Sequence, residues 1–242
     1  MKKSLIIVAL CAIGALCAIC ASGCINVKDY GEPVTKNYAI SGPFTGLDIS
    51  HAFNVTVSDE VTDVVVTVAE QAHERVIVTV KDGVLKIGFK TPVSLVKPAT
   101  AIIPAYTSLT SLELSGASSF VGDMCGAKKL EVDISGASHY KGNMDAENID
   151  FDINGASSAN VTGRCPGTME IDINGASHLK AAELEAGSII GDVNGASSAD
   201  VTCSKLLKVD VSGASTLTYG TVEGTDPTID CETSGASRVK TR

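Results

Sequence analysis

The sequence predicts an all-β protein, a right-handed parallel β-helix (β-solenoid) with about 20 residues per coil. The tripeptide GAS occurs seven times, and its glycines are spaced at intervals of 20, 19, 20, 20, 18 and 22 residues. Apolar and polar residues alternate before each glycine, as they do in strands with one buried face. With 23 Gly, 4% aromatic residues and no Trp, the core must be aliphatic and the corners tight. The corner glycines are Gly116, Gly136, Gly155, Gly175, Gly195, Gly213 and Gly235.

The amino terminus predicts export. Two lysines precede an uncharged run from Ser4 to Ser22, and the run ends in ASGC at Cys24. This pattern resembles a bacterial lipobox, which implies a signal peptide over residues 1–23 and a lipid on Cys24. The alternative is an uncleaved membrane-spanning anchor, because nearly twenty apolar residues could cross a bilayer. Both interpretations place the remaining chain outside the cytoplasm, tethered to a membrane.

The exported part divides into three segments. Residues 24–37 form a tether, residues 38–108 an N-terminal β region, and residues 109–242 the β-helix of GAS repeats. In the N-terminal region GLDISHAFNVTV echoes a repeat, with His51 in the place of the glycine, and predicts a degenerate first coil. DVVVTVAE, RVIVTV and GVLKIGF are typical of strands, with a turn at KDG. We expect this region to cap one end of the solenoid.

Stacked coils turn each repeat position into a column of like residues. The position three before each glycine is always acidic, and the position directly before it is Asn in three coils. Neighbouring members of a column should lie about 4.8 Å apart. We therefore expect Asn154, Asn174 and Asn194 to form an amide ladder in which each side chain bonds to the next.

The acidic column is the candidate ligand or cation face, represented by Asp133, Asp152, Asp172, Asp192 and Asp210. Hard cations such as Ca²⁺ take oxygen ligands, so the column could hold one. The alternative is a solvated face that keeps the protein soluble. The sequence favours this alternative, because it contains no compact Asp-x-Asp-x-Asp loop. No metal site and no cofactor are predicted.

The charge balance excludes whole classes of partner. The chain has 19 basic and 28 acidic residues, and removal of Lys2 and Lys3 with the signal leaves a net charge of −11 (17 − 28). Such an acidic body is poorly suited to nucleic acids or to anionic lipid headgroups.

No catalytic residues are predicted. The acids recur in every coil, whereas an active site should interrupt the repeat, and the chain has only four Arg. His139 and His178 each lie three residues past a corner glycine, two coils or about 9.6 Å apart, which is too far to share one ion.

The cysteines of the exported chain predict free thiols. Cys125, Cys165 and Cys203 lie near one side of the solenoid but two coils apart, beyond the reach of a disulfide. Cys231 stands in an apolar column, so we expect it to be buried.

Several motifs occur together in order: GPFTGLDIS, GVLKIGF and the DISGAS and DINGAS copies. Between about Ile40 and Val239 the chain resembles the head GIN domain of "putative autotransporter adhesins", a family common among lipoproteins of the Bacteroidetes. The resemblance implies a β-helical fold and an adhesive function, and it carries no catalytic residues.

Together these observations predict a non-catalytic, lipid-anchored adhesin of the outer membrane, facing the periplasm or the cell surface. Its partners would be a glycan or another host or envelope component. The first alternative is a purely structural envelope lipoprotein. A polysaccharide-active enzyme is the second, since parallel β-helices include such enzymes.

Overall fold

The computed structural model describes residues 30–91, 93, 95 and 97–242. The predicted signal peptide and Cys24 lie outside these residues. The described chain is almost entirely β-structure, with one short 3-10 helix, Glu70–Arg75. The strands of the N-terminal part are β1 Pro33–Tyr38, β2 Gly46–Ile49, β3 Phe53–Ser58, β4 Val64–Ala69, β5 Val76–Lys81, β6 Val84–Phe89 and β7 Ala99–Pro104. The strands of the repeats are β8 Ser111–Leu114, β9 Ser119–Val121, β10 Met124–Ile134, β11 His139–Ile153, β12 Ser158–Ile173, β13 His178–Val193, β14 Ser198–Val211, β15 Thr216–Thr221, β16 Thr228–Thr233 and β17 Arg238–Thr241.

The GAS repeats form a β-solenoid of about seven coils, as predicted. Each of the long strands β11 to β14 runs from one GAS corner to the next and pairs in parallel with its counterpart in the neighbouring coil. We call the part before a corner the pre-corner arm and the part after it the post-corner arm. The alternation of the sequence sets the burial, because side chains of a strand point to opposite faces. Inward residues such as Ile153, Ile173 and Val193 are fully buried between the arms.

The corners stack backbone on backbone. The glycines of all seven corners have φ between 74° and 81°, a conformation that L-residues with a Cβ rarely adopt. From the second corner onward, the amide of the alanine after the glycine donates to the carbonyl of the preceding corner glycine, for example Ala156 N to Gly136 O at 2.8 Å. Added side-chain atoms have no room there, because a Cβ on Gly155 would fall against the Gly136 carbonyl oxygen.

The N-terminal part closes one end of the core. Strands β2 and β3 stack in register on β8 and β9, so that Asp48 pairs with Glu113, and His51 adopts the corner conformation with φ of 62°. Beyond this coil, β5 and β6 form an antiparallel hairpin that turns at Asp82 and Gly83. Strand β4 pairs antiparallel with β7 and buries an alternating row of valines, which covers the core at this end.

The last coil is less covered than the others. Ile229 of β16 is 39% exposed, whereas its counterpart Leu207 in the preceding coil is completely buried. For the same reason Cys231 is only half-buried, so the expectation of a buried Cys231 is wrong: no further described coil lies over it. Cys125, Cys165, Cys203 and Cys231 are all free thiols. Burial raises the pKa of the Cys165 thiol to about 11. Across residues 30–242, no described helix is long and apolar enough to span a bilayer.

Candidate functional site

The acidic column forms a ladder along the pre-corner arms. The predicted residues Asp133, Asp152, Asp172, Asp192 and Asp210 pair in register from coil to coil. Glu113 and Asp48 extend the ladder at one end, and Glu232 extends it at the other. The alignment of GAS copies did not include Asp48, because its coil lacks the corner glycine. We call this surface the acidic face.

Crowding of carboxylates changes their protonation. Partial burial raises the pKa of Glu113, Asp133, Asp152 and Asp192 above the usual range. The charges of neighbouring rungs add to this effect for Asp152 and Asp192. Like charges one strand spacing apart disfavour ionisation of one another, so the ladder carries electrostatic stress at neutral pH.

Lysines relieve part of this stress. Lys86 bonds to Asp48, Lys129 lies 2.9 Å from Glu131 and 3.4 Å from Asp150, and Lys208 lies 2.7 Å from Asp230. Glu131, Asp150 and Asp230 belong, with Glu170, to a second acidic column two residues before the ladder. This column is interrupted, because Ile190 and Lys208 occupy two of its rungs. Within the described ranges no group of three or more His, Cys, Asp or Glu side chains is arranged to hold a metal ion. Cation binding by the acidic face therefore stays a prediction.

The asparagines do not form the expected amide ladder. Asn154 and Asn174 donate from Nδ2 to Asp152 and Asp172 of their own strands, and Asn194 accepts from the Ser212 hydroxyl. The aspartate two residues back lies on the same side of the strand, and a carboxylate is a stronger acceptor than a neutral amide. Two of the three corner amides thus bond to the acidic ladder, and the third bonds to a serine of the next corner.

The serine of each GAS corner has a role that the sequence analysis missed. Ser118, Ser138, Ser157 and Ser177 are completely buried. The Ser138 amide donates to Ser157 Oγ at 3.3 Å, and the same bond recurs at most other corners. These hydroxyls replace water for amides that the turn leaves without a backbone partner. The sequence signal for this role is the recurrence of Ser at a position where the alternation of the strand points the side chain into the core.

A groove runs across the post-corner arms, on the other side of the corner from the acidic face. It has a volume of about 1150 Å³ and crosses seven arms, from Val57 to Thr218. Six strand spacings correspond to a length of about 29 Å. The outward residues along its middle are Val121, Lys141, Asn160, Lys180, Asp200 and Thr218.

The N-terminal end of the groove is closed by the loop after β7. The ring of Tyr106 packs edge-on against Phe44 with 6.0 Å between centroids, and its hydroxyl donates to the Asp123 carbonyl at 2.7 Å. Burial raises the Tyr106 pKa, so the hydroxyl stays protonated as a donor. An aromatic ring held in this way offers a flat apolar wall at one end of a polar channel.

The floor of the groove offers hydrogen-bonding groups in a row. Asn143 Oδ1 accepts from Thr162 Oγ1 at 3.3 Å, which orients the amide. Asn160 is exposed and bonds to no other described side chain. At the far end Arg242 reaches back to Asp200 at 3.2 Å and to Thr202 Oγ1 at 2.6 Å.

Two histidines stand beside the groove, each oriented by a serine of the next coil. His139 Nδ1 lies 2.7 Å from Ser158 Oγ, and His178 Nδ1 lies 2.8 Å from Ser198 Oγ. Neither imidazole contacts a carboxylate among the described residues. The Ser–His pairs thus lack the third group that orients the base in a hydrolytic triad.

Residues 43–221 match the profile of a family described as "Putative auto-transporter adhesin, head GIN domain". The chain belongs to this family. The resemblance inferred from the GAS motifs is therefore confirmed. The comparison with curated proteins returns no significant match.

Solved structures share the fold of this GIN domain. A protein described as a putative adhesin from Bacteroides fragilis aligns with a TM-score of 0.69 at 16% identity, over 87% of this chain and 97% of its own. A second, from Parabacteroides distasonis, aligns at 0.60 and 23% identity over 89% and 99%. A structure from the same species described as a putative lipid binding protein aligns at 0.58 and 17%, over 88% and 97%.

The GIN domain contains both candidate surfaces. All five predicted acidic residues lie within residues 43–221, as do the lining residues of the groove. Sequence analysis selected the acidic face and missed the groove. The groove forms where the post-corner arms and the loop at Tyr106 come together in the fold. These segments are distant in the sequence, so no local motif predicts their contact.

Proposed function

We propose that this chain is a non-catalytic, lipid-anchored adhesin of the outer membrane that holds an extended glycan in the groove. The observation that carries the proposal is the length of the groove. The groove crosses seven arms, and hydrogen-bonding side chains recur at one strand spacing on five consecutive arms, from Lys141 to Thr218. An extended polymer can repeat the same contact along such a track, whereas a compact ligand would use only one part of it.

The polarity of the groove favours a glycan over a lipid. Amide, hydroxyl and charged side chains supply about half of the lining residues, and in the central outward column every member from Lys141 to Thr218 is polar or charged, with exposed Val121 as the apolar member. The space between the arms is filled by buried apolar side chains such as Phe151 and Ile171. Tyr106 supplies an aromatic face at one end, and a sugar ring can stack on such a face.

Glycan binding is tested with the full chain, purified in detergent micelles, on a panel of immobilised glycans and matrix proteins. Asn160→Trp fills the middle of the groove from an exposed position, and we expect it to abolish binding. The matched control neutralises the acidic face with Asp152→Asn, Asp172→Asn and Asp192→Asn, and it should bind normally. If Asn160→Trp binds normally and the Asn triple variant does not bind, the ligand binds to the acidic face and not to the groove. Absence of binding to the whole panel would favour a purely structural lipoprotein.

Two further measurements test the anchor and the cation hypothesis. Cys24→Ser should shift the protein from the membrane fraction to the soluble fraction if the lipidated cysteine anchors it; retention of the variant would favour a membrane-spanning segment. Melting in EDTA and in millimolar Ca²⁺ should give the same temperature if the acidic face is only solvated. A rise with Ca²⁺ that the Asn triple variant loses would establish a cation site there.

A further inference from the structure

Between the corners at Gly116 and Gly195, the post-corner arms alternate between neutral and basic rungs; the two later arms carry Thr216 and Thr218, then Arg238 and Lys240. The residues three and five past the corner glycine are outward on each arm. In two coils they are His and Lys, and in the coils between and beside these they are small or neutral, apart from one aspartate. In chain order the pairs are Ser119 and Val121, His139 and Lys141, Ser158 and Asn160, His178 and Lys180, and Ser198 and Asp200. We call the two His-x-Lys pairs the basic rungs.

The register places the basic rungs two coils apart. His139 pairs with Ser158, which pairs with His178, and Lys141 is related to Lys180 through Asn160 in the same way. The separation is two strand spacings, about 9.6 Å. The Ser158 and Ser198 hydroxyls hold the Nδ1 atoms, which leaves both Nε2 atoms without a partner in the described chain.

The lysines of the basic rungs differ from those on the acidic face. Lys86, Lys129 and Lys208 are each neutralised by carboxylates. Lys141 and Lys180 line the groove, and neither forms an ion pair within the described ranges. Their ammonium groups therefore remain available for a charge-assisted hydrogen bond to a ligand.

The acidic groups of the groove form no ion pair with the basic rungs. Asp200 is paired with Arg242 at 3.2 Å, and Asp123, in the outward column farther from the corner, accepts from the backbone amide of Asn143 at 2.8 Å. Glu183 is unpaired but stands in register with Thr162, in the outward column farther from the corner. The columns three and five residues past the corner glycine thus carry the histidines and lysines of the basic rungs. Along the groove, their acidic residue is Asp200, which is paired with Arg242.

From this arrangement we infer that the groove binds an acidic glycan whose carboxylates recur at the two-coil spacing of the basic rungs. The inference rests on the proposed glycan binding and specifies its ligand class. Each carboxylate accepts from one lysine and the adjacent imidazole, while the uncharged sugar between them lies over Ser158 and Asn160. The neutral rung serves as a spacer, and it makes the site selective for the distance between charges.

The test compares a hyaluronan oligomer, in which uronic acids alternate with uncharged sugars, with its methyl ester, which keeps the backbone and removes the charges. The full chain should bind the acid and not the ester. Lys141→Asn with Lys180→Asn copies the neighbouring Asn160 rung, so folding should be retained, and affinity for the acid should fall about tenfold. The control Lys81→Asn with Lys128→Asn removes the same charge from exposed positions outside the groove and should not change binding.

A second variant tests the spacing at constant charge. Ser158→His, Asn160→Lys, His178→Ser and Lys180→Asn together move one basic rung a single coil closer to the other. Affinity for the acid should fall about as far as in the double variant. Unchanged affinity would overturn the spacing argument.

The remaining outcomes separate this inference from the proposed function. Equal binding of acid and ester, or an equal loss in the control pair, would overturn the acidic ligand. If the protein binds only neutral glycans, and Asn160→Trp abolishes that binding, the acidic ligand is also overturned. Glycan binding in the groove would then still stand. Failure to bind any glycan would remove both.

Discussion

At the scale of single residues, the corner serine shows how burial decides a role. A hydroxyl on a surface turn is bonded to water, but Ser138, Ser157 and Ser177 have no access to water. Each hydroxyl then matters through one specific amide of the neighbouring coil. Ser157 Oγ accepts from the Ser138 amide, whereas Ser177 Oγ has no partner within the described structure. Two identical side chains in successive coils thus differ in their energetic value.

This difference gives a matched prediction. Ser157→Ala leaves the buried Ser138 amide unsatisfied and should lower the free energy of unfolding by about 1–3 kcal/mol. Ser177→Ala removes a buried hydroxyl that is already unsatisfied and should be neutral or slightly stabilising. Urea unfolding of the two variants beside the wild type measures both values. Equal losses would mean that the corner serines contribute by packing alone.

At the scale of the corner, glycine is required for two separate reasons. Its φ is positive, and its Cα lies against the carbonyl of the corner below. Gly175 has φ of 80° with the Gly155 carbonyl directly against the missing Cβ. Gly224 has nearly the same φ, 79°, but nothing within 4 Å of that position. His51 shows that the φ requirement alone is tolerated, since it takes this conformation at the end of the stack.

The two glycines separate conformational strain from close approach. Gly224→Ala should cost about 1–2 kcal/mol, the penalty of the left-handed conformation for a residue with a Cβ. Gly175→Ala should cost several kcal/mol more, because the coils must also move apart at that corner. Thermal unfolding followed by circular dichroism compares them. Similar melting temperatures would show that the stack can open locally at little cost.

At the scale of the whole molecule, the solenoid segregates its charges. The acidic face carries an uninterrupted ladder of carboxylates, and the groove carries Lys141 and Lys180, which form no ion pair among the described residues. Because the chain has a net charge of −9, repulsion opposes the compact state at neutral pH. The raised pKa values of Glu113, Asp133, Asp152 and Asp192 mean that the folded state binds protons more readily than the unfolded state.

The sign of the pH dependence follows from these shifts. Since the folded-state pKa values lie above the unfolded ones, the contribution of these groups is most favourable below the unfolded values and is lost as the pH rises through the raised values. The variant Asp133→Asn, Asp152→Asn, Asp192→Asn should therefore melt about 3 °C above the wild type at neutral pH, a value already discounted for solvent screening.

The advantage of this triple variant should shrink toward pH 4 and in high salt, where the wild-type ladder is protonated or screened. Asp226→Asn, which removes a charge from an exposed turn, provides the control and should leave the melting temperature unchanged. A triple variant that melts below the wild type at neutral pH would show that hydrogen bonding by these carboxylates outweighs their repulsion.

The sequence by itself determined the coil, the corner and the acidic column. Side-chain direction along a strand is a local property, and a repeat near 20 residues sets the register without further information. Only the tertiary structure decided how polar side chains pair. Asn154 turns to Asp152 instead of Asn174, and Ser157 is sealed from water. It also decided that Cys231 stays half-exposed and that a groove opens beside Tyr106. These features depend on which surfaces meet across coils, and neither composition nor spacing records those distances.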